Sequence, residues 1–143
     1  IVGLGVACQR AHQDLAAEGA RVSALRDRLW QRLQARVPGL ALNGQGAERL
    51  PNTLSVRFPG VSGNALLAGT PQVAASTGSA CHATGEAGPA VVVLMGVSPR
   101  EALGTVRLTL GRNTTGDEVE RAADALARAW HVLAGHAARV QAQ

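Results

Sequence analysis

The chain has 143 residues, 46% apolar, 17% charged and 2% aromatic, which is the make-up of one globular domain and excludes a disordered tail. Its apolar runs are broken by Gly, Pro and Arg before they reach the roughly 18 residues of a membrane span, which excludes an integral membrane helix. The formal charge of +4 comes from 14 basic residues that are all Arg, scattered among 10 acids with one Phe, two Trp and no Tyr, so there is neither a lysine amine for a Schiff base nor an aromatic platform for nucleic acid.

The opening Ile1-Val-Gly-Leu-Gly-Val-Ala-Cys8 lacks a basic segment and a starting Met, so it reads as neither a signal peptide nor a natural N-terminus, and a fragment is expected. Gly3 and Gly5 imitate the start of a dinucleotide fingerprint, but the third Gly is missing and no strand precedes them, so the segment reads as helix. Apolar residues recur at helical spacing from Val2 to about Leu15 and again from Arg21 to Val37. In the second stretch Val22, Leu25, Leu29 and Leu33 form a stripe, with Arg26, Arg28, Arg32 and Arg36 on or beside the wet face. Cys8, on the first, reads as a small buried apolar residue. Pro38-Gly39 stops the second.

Leu40 to Leu42 and Thr53 to Phe58 read as strands, the latter alternating Leu54, Val56 and Phe58 with Ser55 and Arg57 before Pro59-Gly60 ends it. A small helix from about Asn64 to Ala68 and a strand through Val73 to Ser76 lead into Thr77 to Gly88, a Gly-rich loop that contains Cys81. A short helix from Pro89 to Met95 follows. Ser98-Pro-Arg-Glu101 and Thr115-Gly-Asp-Glu118 are capping boxes, each supplying side-chain acceptors to the unpaired amides of a first helical turn. Between them Val106 to Leu110 alternates as a strand, and Val119, Ala123, Leu126, Trp130 and Leu133 form the stripe of a long closing helix. Helices packed on a small, mostly antiparallel sheet make an α+β fold.

Four residues invite a chemical reading. Cys81 sits in a loop of Gly, Ser, Ala and Thr, where a thiol is either incidental or an accessible nucleophile. His82 beside it either assists proton transfer or fills a polar loop. Arg107, at the start of an otherwise apolar strand, needs an anion, which is either a structural acid or a substrate carboxylate. Arg112, just past that strand, reads as structural. Cys8 and Cys81 form no spaced framework, which points away from a disulfide scaffold and toward a reducing, cytoplasmic setting. His12, His82, His131 and His136 show no paired spacing of the kind that sets two metal ligands on one helical face, so no metal is expected.

Three blocks together carry a resemblance: Leu50-Pro-Asn-Thr-Leu-Ser-Val-Arg-Phe58, Ala75-Ser-Thr-Gly-Ser-Ala-Cys-His82 and Val106-Arg-Leu-Thr-Leu-Gly-Arg-Asn-Thr-Thr115. Their order and spacing, across about Leu50 to Leu133, resemble the C-terminal part of the cysteine desulfurase and selenocysteine lyase family, pyridoxal-phosphate enzymes of the class V aminotransferase type. The opening Ile-Val-Gly-Leu-Gly resembles the helix that joins the large domain of those enzymes to the small one.

The resemblance implies the small domain of a fold-type I enzyme, with residues 1–18 as the helix from a large domain and 19–143 as a C-terminal small domain carrying the catalytic-Cys loop. In the family the Cys matching Cys81 attacks, as thiolate, the sulfur of a cysteine held on pyridoxal phosphate, taking it as a persulfide and releasing alanine. The matching role for Arg107 is a bidentate hold on the substrate carboxylate. His82 stands where a Thr or Ser often follows the Cys and is like the Cys-His pair of selenocysteine lyases and many bacterial desulfurases, so L-cysteine and L-selenocysteine both stay open as substrates. The family's cofactor lysine and most cofactor ligands belong to a large domain that this chain lacks, so no cofactor-binding residue is expected here and the chain alone should be inactive. The resemblance also implies partners: a second copy in a homodimer and a sulfur-acceptor or scaffold protein, as in iron-sulfur cluster assembly. A non-catalytic sulfur-carrier or interaction module is the alternative.

Overall fold

A computed structural model of the chain describes residues 1–78 and 88–141. Its first element, α1 (Val2–Arg36), is one helix of 35 residues and not the two expected. The stretch Ala16-Ala-Glu-Gly-Ala20 between the two periodic segments is mostly strong helix former. Its single Gly costs about 1 kcal/mol relative to Ala, too little to break a helix anchored by packing further along. The helix ends where expected: Val37 is extended, Pro38 follows, and Gly39 takes a left-handed φ of 81° that a side chain would resist.

Strands β1 (Ala41–Leu42), β2 (Thr53–Arg57) and β3 (Thr105–Thr109) form an antiparallel sheet in the order β1-β2-β3. Leu42 pairs with Val56, Val56 with Val106 and Leu54 with Leu108, so the apolar sets of the strands share one face. Between β2 and β3 the described residues form three short helices, α2 (Gly63–Ala68), α3 (Ala90–Leu94) and α4 (Pro99–Ala102), and α5 (Gly116–Gln141) follows β3. Both capping boxes form. The Glu101 amide donates to Ser98 Oγ at 3.3 Å, and the Glu118 amide donates to Thr115 Oγ1 at 3.2 Å while the Thr115 amide donates to Glu118 Oε2 at 2.8 Å.

The strand expected from Val73 to Ser76 is reduced to one isolated antiparallel bridge, Ser76 with Arg107. The reason is local: the Val73 amide still donates to the Thr70 carbonyl at 2.9 Å, so the chain is turning where it was expected to extend.

Helices α1 and α5 cover the apolar face of the sheet and run alongside each other in the same direction. Leu29, Leu33 and Val37 meet Leu54, Val56, Phe58, Val106 and Leu108 of the sheet and Val119, Ala123 and Leu126 of α5 in one buried core. At the rim, Arg28 and Arg32 both reach Glu120 Oε1, at 2.6 and 2.9 Å, and Arg36 pairs with Asp124 at 3.0 Å. His131 Nε2 lies 3.1 Å from the Arg36 carbonyl oxygen. Of the four arginines assigned to the wet face, Arg28, Arg32 and Arg36 therefore bridge the two helices, whereas Arg26 pairs with Asp27 and donates to the Leu50 carbonyl at 2.9 Å.

Ile1 and residues 2–17 of α1 are all exposed, Leu4, Val6 and Leu15 among them. Cys8 is exposed with them, which corrects the expectation of a buried apolar residue. Helical spacing places a residue on a face, but burial needs a second surface, and among the described residues none covers this half of α1.

Candidate active site

Strand β3 alternates about the sheet: Val106 and Leu108 enter the core, while Arg107 and Thr109 are exposed on the other face. Arg107 lies directly across from Ser55 of β2, on the face of that strand that also carries Thr53 and Arg57. Among the described residues no hydrogen bond or ion pair engages the Arg107 side chain, so no structural acid there answers the demand for an anion.

The main chain of Arg107 is engaged on its other edge. Its amide donates to the Ser76 carbonyl at 2.7 Å, and the Ser76 amide donates to the Arg107 carbonyl at 3.2 Å. Ser76 Oγ donates to the Gly78 carbonyl at 2.7 Å, and Thr77 Oγ1 lies 2.8 Å from Asn64 Oδ1 of α2. Residues 76–78 are thus fastened to β3 at Arg107 and to the start of α2. Gly63 makes the second attachment close-fitting, since a Cβ there would meet the Thr105 carbonyl oxygen at 2.5 Å and Thr77 Cγ2 at 2.9 Å. Cys81 and His82 lie outside the described residues, together with most of the Gly-rich loop.

Ser76, Thr77, Asn64 and Gly63 were not singled out from the sequence. Only the Gly next to the start of a small helix offered a hint, because the partners come from segments far apart in the chain. Arg112 behaves as read: its guanidinium pairs with Asp14 of α1. The remaining histidines in view, His12, His131 and His136, are exposed, and among the described residues no group of three His, Cys, Asp or Glu side chains could hold a metal.

The described residues do not by themselves build a pyridoxal-phosphate site. The chain has no Lys, and the orphaned buried hydroxyl, Thr105 Oγ1, is one donor and not the convergent set that a phosphate and a pyridine ring take. They do suit a carboxylate, through Arg107 on an exposed polar face. An open groove of ≈ 450 Å³ bounded by Arg57, Pro59, Arg100 and Glu101 does not include Arg107. No helix is long and apolar enough to cross a membrane among the described residues.

No protein-family profile matches the chain. It is 41% identical over 131 residues to a cysteine desulfurase of Frankia sp. (strain EuIK1), covering 90% of this chain and 31% of that protein. It is 42% identical over 123 residues to the cysteine desulfurase NifS of Azotobacter vinelandii, covering 85% and 31%. A solved NifS-like protein from Rickettsia africae superposes with a TM-score of 0.78 at 23% identity, over 90% of this chain and 33% of that one, a likeness of fold. A second solved NifS-like protein superposes with a TM-score of 0.73 at 27% identity. The chain spans about a third of the length of the curated relatives it matches.

Proposed function

Because this chain belongs to the cysteine desulfurase family, we propose that it is the C-terminal small domain of a longer desulfurase, with residues 1–18 leading from a large domain and 19–143 forming the small one. The observation that carries this reading is the match to proteins named cysteine desulfurase over 84–90% of the chain. Two features of the molecule support it. The exposed half of α1 ends at residue 17, next to the proposed boundary. Arg107, exposed and without an acidic partner among the described residues, is tied through its backbone to Ser76, and Cys81 comes five positions after Ser76, within at most about 18 Å of extended chain.

In this reading Arg107 grips the carboxylate of L-cysteine through two parallel N–H donors and sets the substrate's orientation. Cys81, as thiolate, takes the substrate's sulfur. A sulfur–sulfur bond forms on Cys81, the carbon–sulfur bond of the substrate breaks, and its carbon receives a proton, so that Cys81 thiol and L-cysteine become Cys81 persulfide and L-alanine. His82 is the neighbouring group for the proton that the Cys81 thiol gives up. Pyridoxal phosphate, held by the parent polypeptide outside this chain, would supply the electron withdrawal that loosens the carbon–sulfur bond. The persulfide then passes to a sulfur-acceptor or scaffold protein, with the parent enzyme a cytoplasmic homodimer.

The test compares wild type and Cys81→Ser in the parent polypeptide loaded with pyridoxal phosphate, assaying alanine release from L-cysteine and L-selenocysteine in parallel. Cys81→Ser is expected to abolish release from L-cysteine with the cofactor spectrum unchanged. Loss of the spectrum would make Cys81 structural, and cleavage of selenocysteine alone would replace the desulfurase reading by a lyase. Arg107→Ala is expected to raise the KM for L-cysteine by about 10- to 100-fold, the loss of a charge-assisted contact of about 1.5–3 kcal/mol.

A further inference from the structure

We propose that Arg21 of α1 is a positioning residue: it clamps the turn that follows β3 and thereby holds Arg107 in the orientation its substrate contact requires. The proposal rests on the reading of Arg107 given above. Arg21 Nε and Nη2 donate to the two carboxylate oxygens of Glu18 at 2.9 and 2.8 Å. The same guanidinium donates to three main-chain carbonyls of one turn: Nη1 to Thr114 at 2.8 Å, and Nη2 to Arg112 at 2.6 Å and Gly111 at 3.2 Å. A planar fork with five donors can meet a carboxylate and a turn at once, which a lysine ammonium cannot.

The turn is itself closed. The Thr114 amide donates to the Gly111 carbonyl at 3.1 Å, and the Gly111 amide donates to Thr114 Oγ1 at 2.9 Å. Arg112 reaches back from it to Asp14. Asp14, Glu18 and Arg21, at i, i+4 and i+7, share one face of α1, so Arg21 and Asp14 reach the turn while Glu18 holds the Arg21 guanidinium.

What makes this grip matter for Arg107 is where the turn lies. β3 is the last strand in the sheet order, with β2 on one side and, among the described residues, only the Ser76 bridge on the other. Arg107 is four residues before Gly111, and the chain leaves the sheet between them. Arg21 also sits where the exposed half of α1 meets the half that enters the core, so the clamp joins the helix that leaves the body to the strand that carries Arg107. A shift in that strand of a fraction of an ångström displaces a bidentate contact more than it disturbs the core.

The experiment uses the parent polypeptide with pyridoxal phosphate and measures alanine release across L-cysteine concentrations, with thermal midpoints, for Arg21→Lys, Arg21→Ala, Glu18→Gln, Arg107→Ala and the Arg21→Ala/Arg107→Ala double variant. Arg21→Ala and Arg21→Lys are expected to raise KM about tenfold with kcat within about twofold of wild type. Glu18→Gln, which leaves the fork but removes the charge that orients it, raises KM less. In the double variant the Arg21 effect on KM disappears, because its route runs through Arg107; a merely structural role would leave it additive. If Arg21→Lys keeps the wild-type KM while Arg107→Ala raises it, the proposal is overturned and the role of Arg107 stands. If Arg107→Ala leaves KM unchanged, that role fails and the proposal with it. Should Arg21→Ala not fold, Arg21→Lys and Glu18→Gln carry the same comparison.

Discussion

Gly104, at the entry to β3, shows how closely single residues are fitted. Its carbonyl accepts the Phe58 amide at 2.9 Å, and a Cβ on it would run into the Phe58 carbonyl oxygen. The obstruction is backbone and cannot swing aside. Gly104→Ala is therefore expected to cost about 1–3 kcal/mol, read as a lower urea midpoint with an unchanged slope. Cys8 is the opposite case, exposed on the first half of α1. Cys8→Ala should change stability by less than about 0.5 kcal/mol, and a thiol reagent should label Cys8 in the folded chain without denaturant. Burial of Cys8 would show as resistance to labelling.

Helices α1 and α5 are held by an apolar seam with an ionic rim. Leu33, fully buried between α5 and the sheet, should cost about 2–5 kcal/mol as Leu33→Ala, measured by denaturant unfolding. The rim adds a pH dependence. Hydrogen bonds from Arg28, then from Arg32, hold the Glu120 carboxyl below its ordinary 4.5, and the Thr115 amide and hydroxyl do the same for Glu118. A carboxylate whose folded pKa is depressed contributes stability that is complete above the unfolded value and lost as pH falls through the folded one. The thermal midpoint should thus decline as pH drops below about 4.5, and Glu120→Gln should flatten that decline while leaving the midpoint at neutral pH only slightly lower. An acid profile identical to wild type would remove Glu120 from the account.

On the scale of the whole molecule, the two halves of α1 live in different surroundings. The second half packs on the sheet and α5, whereas residues 1–17 project with Leu4, Val6 and Leu15 exposed. Hydrogen exchange of this chain should divide accordingly: amides of residues 22–36 exchange only with global unfolding, and those of residues 5–15 exchange orders of magnitude faster through local fraying. Uniform protection along α1 would mean that something covers the first half, such as a second copy of the chain.

Most of the architecture was legible because its signals are local. The Val22-Leu25-Leu29-Leu33 stripe, the alternation of Leu54, Val56 and Phe58, and the two capping boxes depend on residues within a turn or two of each other, and each forms as read. The α+β class followed from their order, and the family from three motifs at the right spacing. Tertiary structure decided the rest. Whether Cys8 is buried depends on a surface the chain cannot specify from one helix face. Whether Ser76 extends into a strand depends on where the turn at Thr70 to Val73 releases it. That Arg28, Arg32 and Arg36 join two helices, and that Arg21 clamps a turn that begins 90 residues later, required partners brought together by the core, because a side chain's hydrogen bonds reach only about 3 Å and the sequence does not record which distant residue will stand there.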